Sequence, residues 1–152
     1  QVAYYASYAD RDVIVKEIVS QVPDRIASQI EPDGKQPHEL ERTMGLHYSD
    51  FNLRAMLDLC RYAEGVGYDL ASFETEDGRS IKNALLWLVP YMTGEKEWPY
   101  QQIKPVKPYM FYQCLRIASR QFDDPRFENA LEKLPPVPDS MAWVDLLLPP
   151  ND

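Results

Sequence analysis

The strongest constraint on this chain is a helical period with no competing β period. Leu53, Met56, Leu57, Cys60 and Ala63 recur at three- and four-residue spacing and stop at Gly65 and Gly67, which lays one apolar stripe along a helix and ends it at residues that tolerate positive φ. Ser49 is the predicted N-cap of that helix. The same period returns in Ile81, Ala84, Leu85 and Leu88, ending near Pro90, and again in Phe111, Cys114, Leu115 and Ala118. Asp124 followed by Pro125 predicts a further short helix, because proline suits the first helical turn. Upstream, Gln1 to Tyr8 reads as the tail of a helix and Asp10 as the N-cap of one running through Val13, Ile14, Ile18 and Val22. Pro23 kinks or restarts it before Ile26, Ala27 and Ile30 resume the spacing. No segment alternates strictly between hairpin signals, so the predicted fold class is all-α. Helix starts near residues 11, 49, 79 and 108 suit antiparallel helical hairpins, stacked as a bundle, a solenoid or part of a closed ring.

Composition bounds the rest. A chain of 152 residues, 45% hydrophobic and 26% charged, fits one ordinary globular domain. The helical part is expected over residues 1–134. A Pro-rich tail follows over 135–152, ending in Pro149 and Pro150, with Trp143, Leu146, Leu147 and Leu148 apolar enough to dock on it. The longest apolar run, Ala84 to Met92, contains Pro90 and is far short of the roughly 20 residues of a spanning helix, so no membrane partner is expected. Sixteen basic against 24 acidic residues leave a net charge of -8, which argues against a broad cationic face and against nucleic acid as a partner. Cys60 and Cys114 lie inside helical patterns and far apart, without zinc-site spacing. They read as buried free thiols, with a disulfide as the alternative in an oxidising compartment. The opening residues show no basic start followed by an apolar block, and no initiator methionine. The expectation is a processed product or a piece of a longer protein.

Chemistry concentrates in one stretch. Glu31 to Tyr48 gathers Asp33, Gln36, His38, Glu39, Arg42, His47 and Tyr48 between two helices and holds both histidines of the chain. A turn is set within it by Pro32, Asp33 and Gly34. The nine-residue spacing of His38 and His47 matches no compact two-histidine motif, so no metal is expected. Ser49 lacks the glycine elbow of a serine nucleophile. Arg42, His47 and Tyr48 form a different set, two potential cations beside a phenol. A tyrosine, with an ordinary pKa near 10, acts as a base at neutral pH only where positive charge supports the phenolate. An Arg-Tyr stacking pair in a packed loop would carry the same residues.

The wording of the sequence adds to its statistics. Ile26-Ala-Ser-Gln-Ile-Glu-Pro-Asp-Gly-Lys-Gln-Pro-His-Glu-Leu-Glu-Arg-Thr43, continued by Leu46-His-Tyr-Ser-Asp-Phe-Asn-Leu53, resembles the alginate lyase superfamily of polysaccharide lyases. Gly67-Tyr-Asp-Leu-Ala71, Glu74-Thr-Glu-Asp-Gly-Arg-Ser-Ile81, Leu88-Val-Pro-Tyr91 and Gly94-Glu-Lys-Glu-Trp-Pro-Tyr-Gln-Gln-Ile103 resemble its later blocks in the same order. The likeness covers most of residues 1 to 130. It implies part of an (α/α) toroid and cleavage of a polyuronate, alginate or glucuronan, by β-elimination, with an acidic polysaccharide as substrate and no cofactor. It also implies export to the periplasm or outside the cell, where such polymers lie.

By that resemblance Tyr48 is the residue that exchanges protons with C5 and the leaving oxygen, Arg42 is the arginine that supports it, and His47 is their neighbour. Glu39 would orient Arg42, while Gln36, Tyr100 and Gln101 would line the groove. The family's carboxylate-neutralising pair belongs to an Asn-Asn-His motif, which this sequence does not contain. The implied partner is therefore an amino-terminal part of the same domain, and the chain alone is expected to be inactive. The rival expectation is a helical module that binds sugar or protein without turnover. Gly45 and the expected cap at Ser49 favour an extended run over residues 42–48, in which even offsets bring Arg42 and Tyr48 to one side.

Overall fold

The computed structural model describes residues 1–9 and 11–149; the Asp10 cap and Pro150 of the tail lie outside the described residues. Among them all regular structure is helical: α1 (Val2–Tyr8), α2 (Asp12–Val19), α3 (Val22–Gln29), α4 (Pro37–Leu40), α5 (Gly45–Gly65), α6 (Ile81–Met92), α7 (Tyr112–Gln121), α8 (Pro125–Glu132) and α9 (Trp143–Leu147). Short 3-10 turns cover Pro108–Phe111 and Asp139–Met141. The β contact is a single isolated antiparallel bridge between Met44 and Gln102.

Helix α5 is the spine. Its buried residues Leu46, Leu53, Met56, Leu57, Cys60 and Ala63 form one face, and α1, α2, α6 and α7 pack around it. At 1.5 Å per residue its 21 residues span about 30 Å. The stripe is the predicted one, but the helix begins four residues before Ser49. The cap comes from a distant segment: the Gly45 amide donates to the Gln101 carbonyl at 3.1 Å, and the Leu46 amide donates to Gln102 Oε1 at 3.3 Å. With its first amides satisfied this way the helix needs no local side-chain cap. Ser49 instead lies inside α5, fully buried, with its Oγ unpartnered. The extended run expected over 42–48 is thereby replaced by a turn at residues 41–43 followed by helix.

Helix α2 turns a different face inward from the one predicted. Val13 and Ile14 are exposed, at 79% and 41%, whereas Val15 and Val19 are fully buried and continue into Val22 and Ile26. Apolar residues surround this short helix, so spacing alone does not choose a face; packing against α1 and α5 does. The loop over 31–36 closes as expected on a Pro-Asp-Gly turn, with the Gly34 amide donating to the Glu31 carbonyl and Gly34 at φ +88°. Asp124 caps α8 through its side chain, accepting from the Arg126 amide.

Residues 135–149 are not a plain extended tail. Val144 and Leu148 are buried, while Trp143, Leu146 and Leu147 stay exposed. Polar bonds hold the segment: Tyr112 Oη donates to Asp145 at 2.5 Å, Arg116 donates to Tyr112 Oη at 2.7 Å, and Arg120 donates to the Pro149 carbonyl at 2.6 Å. Cys60 and Cys114 are both free and buried. Burial pushes the Cys60 thiol up to about 12, and Cys114 is raised as well, so neither is a reactive thiolate.

Candidate functional site

The first turn of α5 carries the site. In a helix each Cα–Cβ bond tilts toward the N-terminus, so the Tyr48 side chain leans back over the turn that contains Arg42. There the Arg42 guanidinium sits over the phenol ring, its carbon 3.4 Å from the ring centroid. The two side chains meet as expected, by a different backbone route. Glu39, one turn before Arg42, accepts from its Nη1 at 3.3 Å. This exposed pair adds little stability on its own; its effect is to restrict the guanidinium to the plane over the ring.

His47 precedes Tyr48 in the first turn of α5. Its Nδ1 lies 2.7 Å from the Gln102 side-chain amide nitrogen. Gln102 arrives through the bridge to Met44, framed by the Gly45 to Gln101 bond and by the Ile103 amide donating to the Thr43 carbonyl at 2.9 Å. The segment that brings it is anchored by packed aromatics: Trp98 lies 5.2 Å from both Tyr91 and Tyr100, and Trp87 lies 6.0 Å from Trp98. Trp98 also presses on the start of α5, where a Cβ on Gly45 would come within 3.2 Å of its ring.

The other sequence candidates divide. Gln36 is only 1% exposed. Its Oε1 accepts from Asn52 at 2.8 Å, and its Nε2 donates to the Ser49 carbonyl at 3.4 Å. It therefore braces α5 beneath the site instead of lining a groove. Tyr100 is half-buried in the aromatic cluster. Gln101 contributes its backbone carbonyl to the α5 cap while its side chain is exposed. His38 is exposed on α4. Two contributors escaped the sequence reading, Gln102 and Asn52. The signal for Gln102 was its place beside Gln101, since neighbours in an extended segment face opposite ways.

Below the site, on the α7 side of α5, Asp50 is buried. Burial pushes its carboxyl up to about 6, against the pull of Arg54 and of the Cys114 thiol. Arg54 Nε lies 3.3 Å from Oδ2, while Oδ1 has no hydrogen-bond partner. The folded protein therefore holds this proton more tightly than the unfolded chain does. The associated stability is present at low pH and declines as pH rises from the usual carboxylate range through about 6. An Asp50→Asn variant should gain on the wild type across that window by about 3 kcal/mol, the rise from 3.8 to about 6 being worth about 1.4 kcal/mol for each pH unit with the pull of Arg54 already included. Denaturant melts at a series of pH values measure it; a gap between the two proteins that does not change with pH refutes the assignment.

Chemically the set offers a phenol hydroxyl for proton transfer, a guanidinium on its ring face and an imidazole held by an amide. Among the described residues no three His, Cys, Asp or Glu side chains converge as metal ligands would, and no helix is long and apolar enough to cross a membrane. Two clefts lie elsewhere. One is walled by Cys60, Tyr68 and Gln121, another by Tyr4, Ile18 and Tyr62, so the Arg42–Tyr48 stack belongs to neither.

Comparison with known proteins places the fold. The family model for alginate lyases matches residues 1–98. The fold is similar to that of an alginate lyase from Bacteroides ovatus, with a TM-score of 0.82 and 39% sequence identity over 90% of this chain. The chain spans 37% of the length of that protein. No curated protein matches it.

Proposed function

The chain belongs to the alginate lyase family, and on that premise we propose that it supplies the proton-transfer wall of a polysaccharide lyase acting on a polyuronate such as alginate or glucuronan. The observation that carries the reading is the Arg42 guanidinium stacked at 3.4 Å on Tyr48. In β-elimination the C5–H and C4–O4 bonds break and a C4–C5 double bond forms. Tyr48 Oη takes the proton from C5 and returns it to O4, so one side chain serves as base and then as acid. To act first as a base Tyr48 must start as the phenolate, and the guanidinium over its ring supplies the positive charge that supports this form before the proton moves.

C5 is too weakly acidic to lose its proton while the C6 carboxylate keeps its full charge. Donors to that carboxylate are needed, and these 152 residues contain no Asn-His pair. We assign those donors to another part of the protein that carries this chain, and export to that protein, since polymers do not cross membranes intact. Ultraviolet absorbance of the unsaturated uronate product tests the reading. The carrying protein should generate it from alginate or glucuronan, and residues 1–152 alone should not. Binding of either polymer by the carrying protein without product would replace the lyase by a carbohydrate-binding module.

Arg42→Ala should lower kcat/KM by about 10²-fold, within the usual range for one lost electrostatic donor. Arg42→Lys should recover only part of it, because an ammonium keeps the charge but not the planar stack. Full activity in Arg42→Lys would mean that charge alone suffices.

A further inference from the structure

We infer that Gln102 is a positioning residue that holds His47 as the tautomer protonated on Nε2, so that the ring presents a fixed hydrogen-bond donor to the anionic sugar; that last clause rests on the lyase reading above. The orientation of the Gln102 amide is set by two partners with no choice of role. Its oxygen faces the Leu46 backbone amide at 3.3 Å, which can only donate, and its nitrogen faces the Lys104 carbonyl at 3.0 Å, which can only accept. The second N–H of that nitrogen therefore points to His47 Nδ1 at 2.7 Å. A ring nitrogen that accepts carries no proton, so the neutral imidazole carries it on Nε2. Among the described residues no hydrogen-bond partner is on the Nε2 side. The same side chain that caps α5 thus dictates which way the adjacent imidazole donates.

One group fixed by two others recurs wherever a histidine must keep one tautomer, and there the outer partner governs the ring nitrogen used. Here the outer partner is an amide, which donates to the ring. A carboxylate at position 102 would do the opposite. Gln102→Glu retains an oxygen for the Leu46 amide but can only accept from His47, so the ring proton should move to Nδ1 and the Nε2 donor should vanish.

Nitrogen NMR of protein labelled in its histidines reads this directly, with His47→Gln identifying the resonances. Under mildly alkaline conditions the wild type should show a protonated Nε2 and a bare Nδ1, Gln102→Glu the reverse, and Gln102→Met a mixture. If Gln102→Glu fails to fold by circular dichroism, the mixture in Gln102→Met carries the test. A protonated Nδ1 in the wild type, or one unchanged tautomer in every folded variant, overturns the assignment. In the carrying protein, assayed with polyuronate, Gln102→Glu should raise KM about tenfold while kcat falls less. Unchanged KM alongside a switched tautomer overturns the substrate clause alone. A carrying protein without turnover on either polymer overturns the lyase reading, and the spectra still decide the tautomer.

Discussion

Tyr48→Phe is expected to remove turnover and leave the fold untouched. The lost hydroxyl is the only group in the stack that can carry a proton to and from the sugar, and general acid–base catalysis of this kind contributes about 10²–10⁴-fold. The loss should fall on kcat, with KM nearly unchanged, because the hydroxyl acts in the transition state more than in binding. Structurally the substitution is mild. The contact with Arg42 is made by the ring face, which phenylalanine keeps. Thermal midpoint and circular dichroism should therefore match the wild type. A variant that retains activity within a few fold while folded identically would exclude Tyr48 as the proton carrier and move the search to another hydroxyl.

Why the pair was legible in the sequence, and its surroundings were not, follows from where each contact originates. The α5 stripe from Leu53 to Ala63 depends on spacing within one helix, and spacing is what a sequence displays. Arg42 and Tyr48 lie six residues apart, so a local reading could propose their meeting. It erred on the backbone between them because the α5 cap comes from Gln101 and Gln102, more than fifty residues downstream. No local pattern reports a cap of that origin, and Ser49 looked like one. The same distance hid Gln102 behind Gln101: parity decides which of two adjacent glutamines enters a site, and the register is set by the bridge to Met44. Gln36 was legible as important but not as buried, because its partners Ser49 and Asn52 lie on α5. The exposed face of α2 is a parallel case, decided by the helices that pack against it and not by its own residues.

The support beneath the site depends most sharply on Gly34. Its backbone, at φ +88°, seats the turn against α6 so closely that a Cβ would lie 2.7 Å from the Asn83 carbonyl oxygen and 2.8 Å from Trp87 Cβ. Helix backbone cannot retreat from such contact without breaking its own ladder. Around it, Asn83 Nδ2 donates to the Pro32 carbonyl at 2.8 Å, and Arg79 donates to the carbonyls of Ala27 and Ile30. Two residues later Gln36 grips α5 at Ser49 and Asn52, beside Tyr48 in sequence and one turn beyond it. Gly34→Ala should cost about 2–5 kcal/mol: roughly 1–2 for a left-handed alanine and roughly 1–3 for the overlap. Gly78→Ala provides the control. It also sits at positive φ, +92°, but the nearest atom to its Cβ would be the Pro32 oxygen at 3.9 Å, so it carries the backbone cost alone. In denaturant melts the two variants should differ by about the overlap. In the folded fraction of Gly34→Ala, lyase turnover should also fall, because a turn displaced from α6 carries Gln36 with it and loosens the helix that presents Tyr48. Equal destabilisation by both substitutions would mean that α6 yields at this contact, and that the turn does not transmit its position to the site.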